Sequence, residues 1–513
     1  MRTLTGWFLW LWLMGGVYAQ TASPIYYPVV PQPRFVYPAL GSFNLKGSIR
    51  IYVESDNPAF TDNVIYMPAQ MLSSFFPKIS YPKKTPSRNF ILIRQGPVTG
   101  TLNPAAYYIQ IKPQGIIIQA TGEQGVFYAL QTLKQIIAGR LAIKSFYLPA
   151  GEIIDWPRYN YRGMMLDVAR HFYAPDEVMD LIDYLALFKI NKLHLHLSDD
   201  QGWRLEIKSY PELTNRGALI EVDSTPGGYY TQQQFKDLVA YAHERFIDII
   251  PEIDMPGHSQ AALASYDFLN CDGKRKKLYH GTDVGFSSFC TRKDTVYKFI
   301  DKVIEEIAAI SPSPYIHIGG DESDATPHDE YVRFVEKVQQ IVRKHGKIMV
   351  GWDEIARSQL DTSTVVQFWI HRKEAIKAAR QGNHIIFSYA PNCYLDMKYH
   401  ERTPLGLHWA GYIPVSKAYR FRTDTIPGLR PDKIIGIEAP LWTETVRSYR
   451  DIIYLTFPRI CAYAEIGWTS PGNRHWEEFR RRLSFIQSLL PEGYFRSGEI
   501  PWDYPKTLEK PPY

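Results

Sequence analysis

The chain has 513 residues, of which 45% are hydrophobic and 22% are charged. This length and composition suit a globular protein with one large domain and a smaller companion, and they exclude disordered and fibrous classes. The net charge of +5 comes from interspersed basic and acidic residues, so no nucleic-acid partner is indicated. The aromatic share of 14% serves core packing in most proteins, but flat rings also suit the apolar faces of sugars.

The first 19 residues are predicted to form a cleaved signal peptide. Arg2 precedes an apolar run over residues 7–14, and small residues follow up to Ala19. The run is too short to span a bilayer, and no later stretch approaches the ~20 apolar residues of a membrane helix. We therefore expect an exported protein without a membrane span, located in the periplasm or outside the cell.

Two of the four cysteines are predicted to form a disulfide. Cys271 and Cys290 flank a long polar segment, CDGKRKKLYHGTDVGFSSFC, and an exported chain tolerates such a bond. The alternative is a pair of unpaired thiols. No C-x-x-C spacing is present, so a cysteine zinc site is not expected.

Residues 21–155 are predicted to form an N-terminal α+β domain. Short alternating runs such as SIRIYVE predict strands, whereas EQGVFYALQTLKQII has helical periodicity. The stretch IIDWPRYNYRG, with Pro157 in its middle, marks the boundary. Residues 156–513 follow as the second domain, with a helical segment at its C-terminal end.

The second domain shows strands that alternate with amphipathic helices. Helices are predicted between most of the strands, at 175–188, 231–244, 294–309, 329–344 and 373–381. This alternation predicts a closed (β/α)8 TIM barrel, whose active residues lie at the carboxyl ends of the strands. The eight predicted strands are 163–168, 192–197, 247–253, 315–318, 347–351, 364–368, 384–388 and 434–437.

Polar and aromatic residues follow each predicted strand, as the barrel hypothesis requires. Loops are usually polar, but a cluster after every strand favours a functional site. The residues are Asp167 and Arg170; Asp199 and Asp200; Glu252, Asp254 and His258; Asp321 and Glu322; Trp352 and Glu354; Trp369; Tyr394 and Asp396; Trp442 and Glu444.

Carboxylates and tryptophans around one cavity point to glycoside chemistry. Such reactions commonly use an acid and a nucleophile that flank the bond, about 5 Å apart in retaining enzymes. Asp321 and Glu322 in HIGGDE are adjacent in sequence, so they do not suit that division of labour. The alternative for this pair is a solvated loop.

A metal-dependent barrel hydrolase is the competing enzyme hypothesis. His194 and His196 in LHLHLSDDQGWR alternate as metal-binding histidines do. The later strand ends carry tryptophans and carboxylates rather than further histidines. We therefore expect hydrogen-bonded core histidines, no metal and no cofactor.

Eight motifs in chain order carry a family resemblance. They are RGMMLDVARHF, LHLHLSDDQGWR, PEIDMPGH, HIGGDE, GWDE, QFW, YLDMKY and EAPLWTE, and they span residues 162–444. Together they resemble glycoside hydrolase family 20, the exo-acting β-N-acetylhexosaminidases. The resemblance implies a TIM barrel after a small α+β domain, and a glycan substrate with a terminal N-acetylhexosamine.

The resemblance also implies a retaining mechanism in which the 2-acetamido oxygen of the substrate is the nucleophile, and this family is an exception to the two-carboxylate rule. Glu322 would then be the general acid and base, while Asp321 would orient the acetamido group and stabilise an oxazolinium intermediate. The further roles implied are Tyr394 as donor to the acetamido oxygen; Asp199 and His258 as supports of the acid; Arg170, Asp396 and Glu444 as ligands of sugar hydroxyls; Trp352, Trp369 and Trp442 as the acetamido pocket; and Trp409 as a platform for the next sugar.

A non-catalytic glycan-binding protein on the same fold is the remaining alternative. Every catalytic position of the family is filled in this sequence, which favours an enzyme. The sequence leaves open the natural glycan, the preference between GlcNAc and GalNAc, and the oligomeric state.

Overall fold

The computed structural model describes residues 26–492 and Trp502. The predicted signal peptide lies outside the described residues. The N-terminal part contains a seven-stranded mixed sheet in the order β1-β7-β5-β6-β4-β2-β3. Its strands are β1 Phe35–Asn44, β2 Ile49–Glu54, β3 Ile79–Ser80, β4 Phe90–Gln95, β5 Tyr107–Lys112, β6 Gly115–Ala120 and β7 Tyr147–Asp155.

One long helix fills the space between this sheet and the rest of the molecule. The short helices α1 (Pro58–Val64) and α2 (Met67–Leu72) precede it, and α3 runs over Glu123–Ala142. It is apolar on most of its circumference, as expected of a helix with buried surfaces on both sides. Gln135 on α3 donates to the carbonyl of Leu187 in the following domain.

Eight parallel strands close into a barrel, which confirms the predicted TIM fold. Neighbouring strands pair in sequence order, and the last strand pairs with the first. The strands are β8 Tyr161–Asp167, β9 Lys192–His196, β10 Asp248–Glu252, β11 Tyr315–His317, β12 Ile348–Trp352, β13 Val365–Phe368, β14 His384–Phe387 and β15 Ile434–Leu441.

The last barrel strand extends further than the sequence analysis predicts. The prediction stops it at Ile437, before the charge of Glu438, but β15 continues to Leu441. Glu438 is fully buried and faces His194 and Gln367, so its charge is compatible with a core strand. A charged residue ended the predicted strand because its partners are distant in sequence.

The five predicted helices are present, with ends shifted by at most one residue. Between β12 and β13, however, the chain has a 3-10 turn at Asp353–Arg357 rather than a helix. The helices are α4 Pro175–Leu187, α5 Glu212–Asn215, α6 Gln232–His243, α7 Gln260–Ser265, α8 Asp294–Ile310, α9 His328–Lys344, α10 Arg372–Gln381, α11 Ala390–Cys393, α12 Val415–Arg420, α13 Tyr449–Thr456, α14 Arg459–Trp468 and α15 Trp476–Phe485.

A buried polar cluster joins the sheet to the barrel. The ammonium group of Lys189 lies 3.4 Å from a carboxylate oxygen of Asp155, the last residue of β7, and donates to the hydroxyl of Tyr107. The indole of Trp468 on α14 donates to both oxygens of Asp155 at 2.9 Å. Burial lowers the pKa of Lys189 to about 8, although Asp155 opposes that shift.

Among the described residues, each helix is either too short or too polar to cross a membrane.

Candidate active site

A cavity of about 450 Å³ lies at the carboxyl ends of the barrel strands. The predicted residues that line it are Arg170, Asp321, Glu322, Trp369, Tyr394, Asp396, Trp409, Trp442 and Glu444. Trp352, Asp199 and His258 are buried and contact these residues from outside the lining. The structure therefore brings all the predicted site residues to one end of the barrel.

A larger cavity of about 690 Å³ opens at the opposite end of the barrel. Its described lining includes Tyr161, Lys192 and Tyr315 but no carboxylate. Catalytic residues of TIM barrels come from the carboxyl ends of the strands. Size therefore does not identify the site here, and the smaller cavity is the candidate.

The loop after β11 turns sharply to present the two adjacent acids. Gly319 and Gly320 have φ angles of 63° and 94°, and a side chain at Gly319 would lie 1.9 Å from Asp254. Glu322 itself has a φ of 42°, a conformation that non-glycine residues rarely adopt outside functional sites. Asp321 is buried as a result, whereas the Glu322 side chain is one-third exposed (34%) to the cavity.

His258 connects Asp199 to both acids. Its Nδ1 lies 3.2 Å from an oxygen of Asp199, and its Nε2 lies 3.4 Å from Glu322 and 3.8 Å from Asp321. Burial alone would lower the pKa of His258, but the charge of Asp199 holds it well above the usual value. An imidazolium therefore faces the two acids at neutral pH.

Asp321 and Asp254 form a buried carboxyl pair. Burial raises the pKa of Asp321 to about 6, and the charge of Glu322 adds to the shift while His258 opposes it. Burial and the charge of Asp321 raise the pKa of Asp254 well above its usual value. Both carboxyl groups therefore bind a proton more tightly than a free aspartate does.

Asp254 is a site residue that the sequence analysis did not assign. It was noted as a polar residue after β10, but the family motifs gave it no role. The backbone N–H of Gly320 donates to the Asp254 carboxylate at 2.9 Å, so Asp254 also fixes the turn that carries the two acids. The feature of the sequence that could have identified Asp254 is its position in the motif PEIDMPGH, between Glu252 and His258.

Arg170 is held rigidly by carboxylates at the floor of the cavity. Its guanidinium contacts Asp199 at 2.9 Å and Asp167 at 3.3 Å. The same group lies over the ring of Trp442, 4.8 Å from its centroid. Among the described residues its Nε has no hydrogen-bond partner, which leaves a donor for a ligand.

Two further acids line the cavity with unused acceptors. Asp396 is 1% exposed, yet neither of its carboxylate oxygens has a hydrogen-bond partner among the described residues, and the same holds for one oxygen of Glu444. Burial raises the pKa of both carboxyl groups; Glu444 adds to the shift of Asp396, and Arg170 opposes the shift of Glu444. Buried polar groups are normally hydrogen-bonded, so these atoms indicate a polar ligand rich in donors.

Aromatic side chains form one wall of the cavity. The rings of Trp352 and Trp442 lie 5.7 Å apart, and Trp369 is nearly parallel to Tyr394, with centroids 6.3 Å apart. Trp409 stands at the mouth, 53% exposed, with its edge against Tyr394. This arrangement can hold an apolar methyl group inside and a sugar face at the rim.

The two strand histidines do not favour the metal-dependent alternative. His194 lies 2.9 Å from Glu438 and 3.0 Å from Glu252, and His196 lies between Glu252 and Asp199. Burial would lower the pKa of His194, but these carboxylates raise it to about 9. Both histidines therefore have buried carboxylates as partners, as expected of hydrogen-bonded core histidines.

The loop between Cys271 and Cys290 contributes to the cavity mouth. The structure contains the predicted disulfide between these residues. Inside the loop it closes, Thr282 and Val284 line the cavity. The sequence analysis assigned the loop only its disulfide, because nothing local shows that its middle reaches the barrel axis.

The chain was compared with protein families and with known proteins. The family model "Glycosyl hydrolase family 20, catalytic domain" matches residues 159–331 and 323–471, and "Glycosyl hydrolase family 20, domain 2" matches residues 26–156. A β-N-acetylhexosaminidase of Cellulomonas fimi is 40% identical over 407 residues, which cover 78% of this chain and 82% of that protein.

Solved structures of similar proteins agree with the family match. An N-acetyl-β-hexosaminidase of Streptomyces plicatus, in complex with thio-NAglucal, is 39% identical with a TM-score of 0.85, covering 93% of this chain and 98% of that one. A family 20 exo-β-N-acetylglucosaminidase of Vibrio harveyi is 32% identical with a TM-score of 0.80, covering 93% and 79%. The chain therefore belongs to glycosyl hydrolase family 20 and is a glycoside hydrolase of the β-N-acetylhexosaminidase type.

Proposed function

We propose that the enzyme removes terminal, non-reducing, β-linked N-acetylhexosamine from glycans, with retention of configuration and with the substrate's acetamido oxygen as nucleophile. One observation carries this proposal: Asp321 and Glu322 both lie within 4 Å of the same nitrogen of His258. Adjacent carboxylates that meet on one imidazole nitrogen approach a ligand from the same wall of the cavity, whereas an acid and an enzymatic nucleophile act on the sugar from opposite faces.

Asp321 and Glu322 instead suit two different roles in one reaction. Glu322, which reaches the open cavity, protonates the leaving oxygen and then accepts a proton from the attacking water. Asp321, which is ionised near neutral pH, accepts from the acetamido N–H and stabilises the positive charge of the oxazolinium ring. The leaving oxygen and the acetamido group occupy neighbouring ring carbons, so adjacent acids reach both.

The aromatic wall supports the acetamido role. Trp352, Trp369 and Trp442 enclose the methyl group, and the hydroxyl of Tyr394 donates to the acetamido oxygen. This holds the oxygen close to the anomeric carbon, which saves the entropy cost of an external nucleophile.

The unpartnered polar atoms support recognition of a whole terminal sugar. Arg170, Asp396 and Glu444 offer a guanidinium donor and carboxylate acceptors for the 3-, 4- and 6-hydroxyls. Because these buried groups close the inner end of the cavity, the sugar chain leaves only past Trp409 and Val284. Such a site removes terminal sugars.

The anomer formed first tests the mechanism. The free sugar released from a β-N-acetylglucosaminide should be the β-anomer in proton NMR spectra taken before mutarotation, because two inversions restore the configuration. The matching β-glucoside lacks the acetamido nucleophile and should be cleaved several orders of magnitude more slowly. An α-product, or a trapped glycosyl ester on an Asp or Glu side chain, would contradict substrate assistance.

The family match disagrees with the alternative from the sequence analysis, a non-catalytic glycan-binding protein. The exposed rings at the cavity mouth would also suit binding alone. Hydrolysis of a chromogenic N-acetylglucosaminide separates the two, since a binding protein releases no chromophore.

Export through a cleaved signal peptide is proposed from the first 19 residues. Mass spectrometry of protein secreted by a suitable bacterial host should give a mature chain that begins at Gln20. An exported protein that retains Met1 would contradict this cleavage.

A further inference from the structure

Glu252 is a fully buried acid beneath the cavity that the mechanism above does not use. It ends β10, and the strand register places it opposite His196 on β9 and His317 on β11. The three side chains therefore form one layer across adjacent barrel strands.

Each oxygen of Glu252 faces a different part of the site. One lies 2.5 Å from Nδ1 of His196 and 3.0 Å from Nε2 of His194. The other accepts from the indole N–H of Trp352 at 3.0 Å and lies 3.0 Å from Nδ1 of His317. A single carboxylate thus contacts groups on β9, β11 and β12.

The first oxygen leads to the catalytic acid. Nε2 of His196 lies 2.9 Å from one oxygen of Asp199, and the other oxygen of Asp199 lies 3.2 Å from His258. His258 in turn lies 3.4 Å from Glu322. We call this series, from His196 to Glu322, the acid arm.

The second oxygen leads to the acetamido pocket. Trp352 is 1% exposed and packs against Trp442, which lines the cavity. The hydrogen bond from its indole to Glu252 fixes the rotation of the Trp352 ring. We call the pair Trp352 and Trp442 the pocket arm.

On the basis of the proposed function, we infer that Glu252 is a positioning residue that holds the acid arm and the pocket arm in a fixed relation. It touches no substrate. It sets where Glu322 stands relative to the acetamido group whose oxygen must attack as the leaving group is protonated.

The charges around Glu252 support this role. Burial alone would raise the pKa of Glu252, but His196, His317 and His194 hold it well below the usual value. The acids that also face it are Asp254 and Asp321, and its charge raises the pKa of both. Glu252 is therefore an anion within a cluster of imidazoles, and its removal changes the electrostatics of Asp321.

The variant Glu252→Gln tests the inference through kinetic and binding measurements that would not change selectively if Glu252 only stabilised the fold. We expect kcat/KM to fall about tenfold or more on substrates with poor leaving groups, a part of the roughly 10²- to 10⁴-fold that a general acid supplies. The loss on nitrophenyl glycosides should be smaller. A thiazoline mimic of the intermediate should bind about tenfold more weakly, because the pocket arm is released.

The pH profile gives an independent readout. Loss of the Glu252 charge lowers the pKa of Asp321, so the acidic limb of kcat/KM should move to lower pH. Glu252→Asp, which keeps the charge but shortens the reach, should keep the acidic limb in place and still weaken thiazoline binding.

Glu438→Gln is the matched control, because Glu438 is an equally buried carboxylate that contacts His194 from the other side. It touches neither His196 nor Trp352, so it should leave the leaving-group dependence, the acidic limb and thiazoline binding unchanged. Thermal unfolding of each variant shows whether it is folded.

If Glu252→Gln loses activity equally on all leaving groups, with an unmoved acidic limb and full thiazoline affinity, the positioning role is wrong. If neither Glu252 variant folds, variants that change only the acid arm or only the pocket arm test the inference. His196→Gln and Trp352→Phe should then give non-additive losses in a double-mutant cycle, and additive losses would overturn the inference. A wild-type chain without hydrolase activity would instead contradict the proposed function.

Discussion

Two Asp-Glu pairs lie in the loops at the carboxyl ends of two consecutive barrel strands, and they serve different purposes. Asp321 and Glu322 follow β11, whereas Asp353 and Glu354 follow β12. In the second pair, one oxygen of Asp353 accepts from the backbone N–H groups of residues 369, 370 and 371, each at 2.9–3.0 Å. Its other oxygen lies 2.8 Å from the imidazole of His371.

The two pairs differ in whether groups of the protein satisfy the hydrogen bonds of their carboxylates. Asp353 is saturated by local donors and fixes the loop that carries Trp369, while Glu354 accepts from the indole of Trp369 at 2.9 Å. In the first pair, one oxygen of buried Asp321 has no hydrogen-bond partner among the described residues, and Glu322 reaches the cavity. An acid with all its partners in the protein supports structure, whereas an acid that lacks them is available to substrate.

Backbone conformation produces this difference from the same dipeptide. Two left-handed glycines and the left-handed Glu322 turn the first pair towards the cavity. The second pair begins a 3-10 turn that folds Asp353 and Glu354 back onto β13.

The largest expected difference between the pairs is in acid catalysis. Glu322→Gln should lower kcat/KM on natural glycans by roughly 10²- to 10⁴-fold, because no group then protonates the leaving oxygen. Nitrophenyl glycosides should lose much less, since nitrophenolate leaves without a proton. Steady-state kinetics on both substrates measures this, with Glu354→Gln as the control that keeps most activity on each. Equal losses on the two substrates would contradict the acid role.

The aspartates should differ almost as much. Asp321→Asn should lower kcat on N-acetylglucosaminides by about 10²- to 10³-fold, the range for loss of one preorganised charge-stabilising group. Asp353→Asn should instead lower the free energy of unfolding, by about 1–3 kcal/mol, because charge-assisted hydrogen bonds to three N–H groups weaken. Comparable kcat values for Asp321→Asn and Asp353→Asn would contradict the different roles of the two aspartates.

The hydrogen bond from the indole of Trp369 to Glu354 predicts a smaller effect, which concerns substrate binding. Burial and the charge of Asp353 raise the pKa of Glu354 well above its usual value, so its carboxyl group binds a proton more tightly than a free glutamate does. Glu354→Gln retains an acceptor for the indole of Trp369 and should bind substrate normally. Glu354→Leu should raise KM about five- to tenfold, the equivalent of one lost hydrogen bond. Identical KM values for both variants would show that Trp369 does not depend on this contact.

The smallest expected effect is on stability, and it depends on pH. Because the folded state raises the pKa of Asp321 to about 6, it binds the proton more tightly than the unfolded state does. Ionised Asp321 therefore destabilises the fold, most fully above pH 6, and this penalty disappears below about pH 4. Denaturant unfolding should show Asp321→Asn to be more stable than wild type at pH 7 but equal to it at pH 4. The reverse order at pH 7 would contradict the raised pKa.

The sequence was sufficient for the barrel and for the residues that line the cavity. Apolar strands and amphipathic helices have local periodicities, and HIGGDE combines a strand, two glycines and two acids within six residues. The proximity of Asp254 to Asp321 and the four contacts of Glu252 were not predictable. They depend on strand register and side-chain direction, which bring together residues 56 to 100 positions apart. The predicted strand β15 ends four residues too early, and Glu438, in the part that was missed, likewise has its partners at distant positions of the chain.

The cluster of Lys189, Asp155 and Trp468 bears on any attempt to isolate the catalytic barrel. A fragment that begins at residue 156, the predicted start of the barrel domain, would keep the Lys189 ammonium group and discard the carboxylate that balances it. The same truncation removes Tyr107, so the Lys189 ammonium group and the indole of Trp468 would lose their hydrogen-bond partners and become exposed to water. The N-terminal domain is therefore an electrostatic component of the catalytic fold, and a soluble, active fragment would have to retain β7.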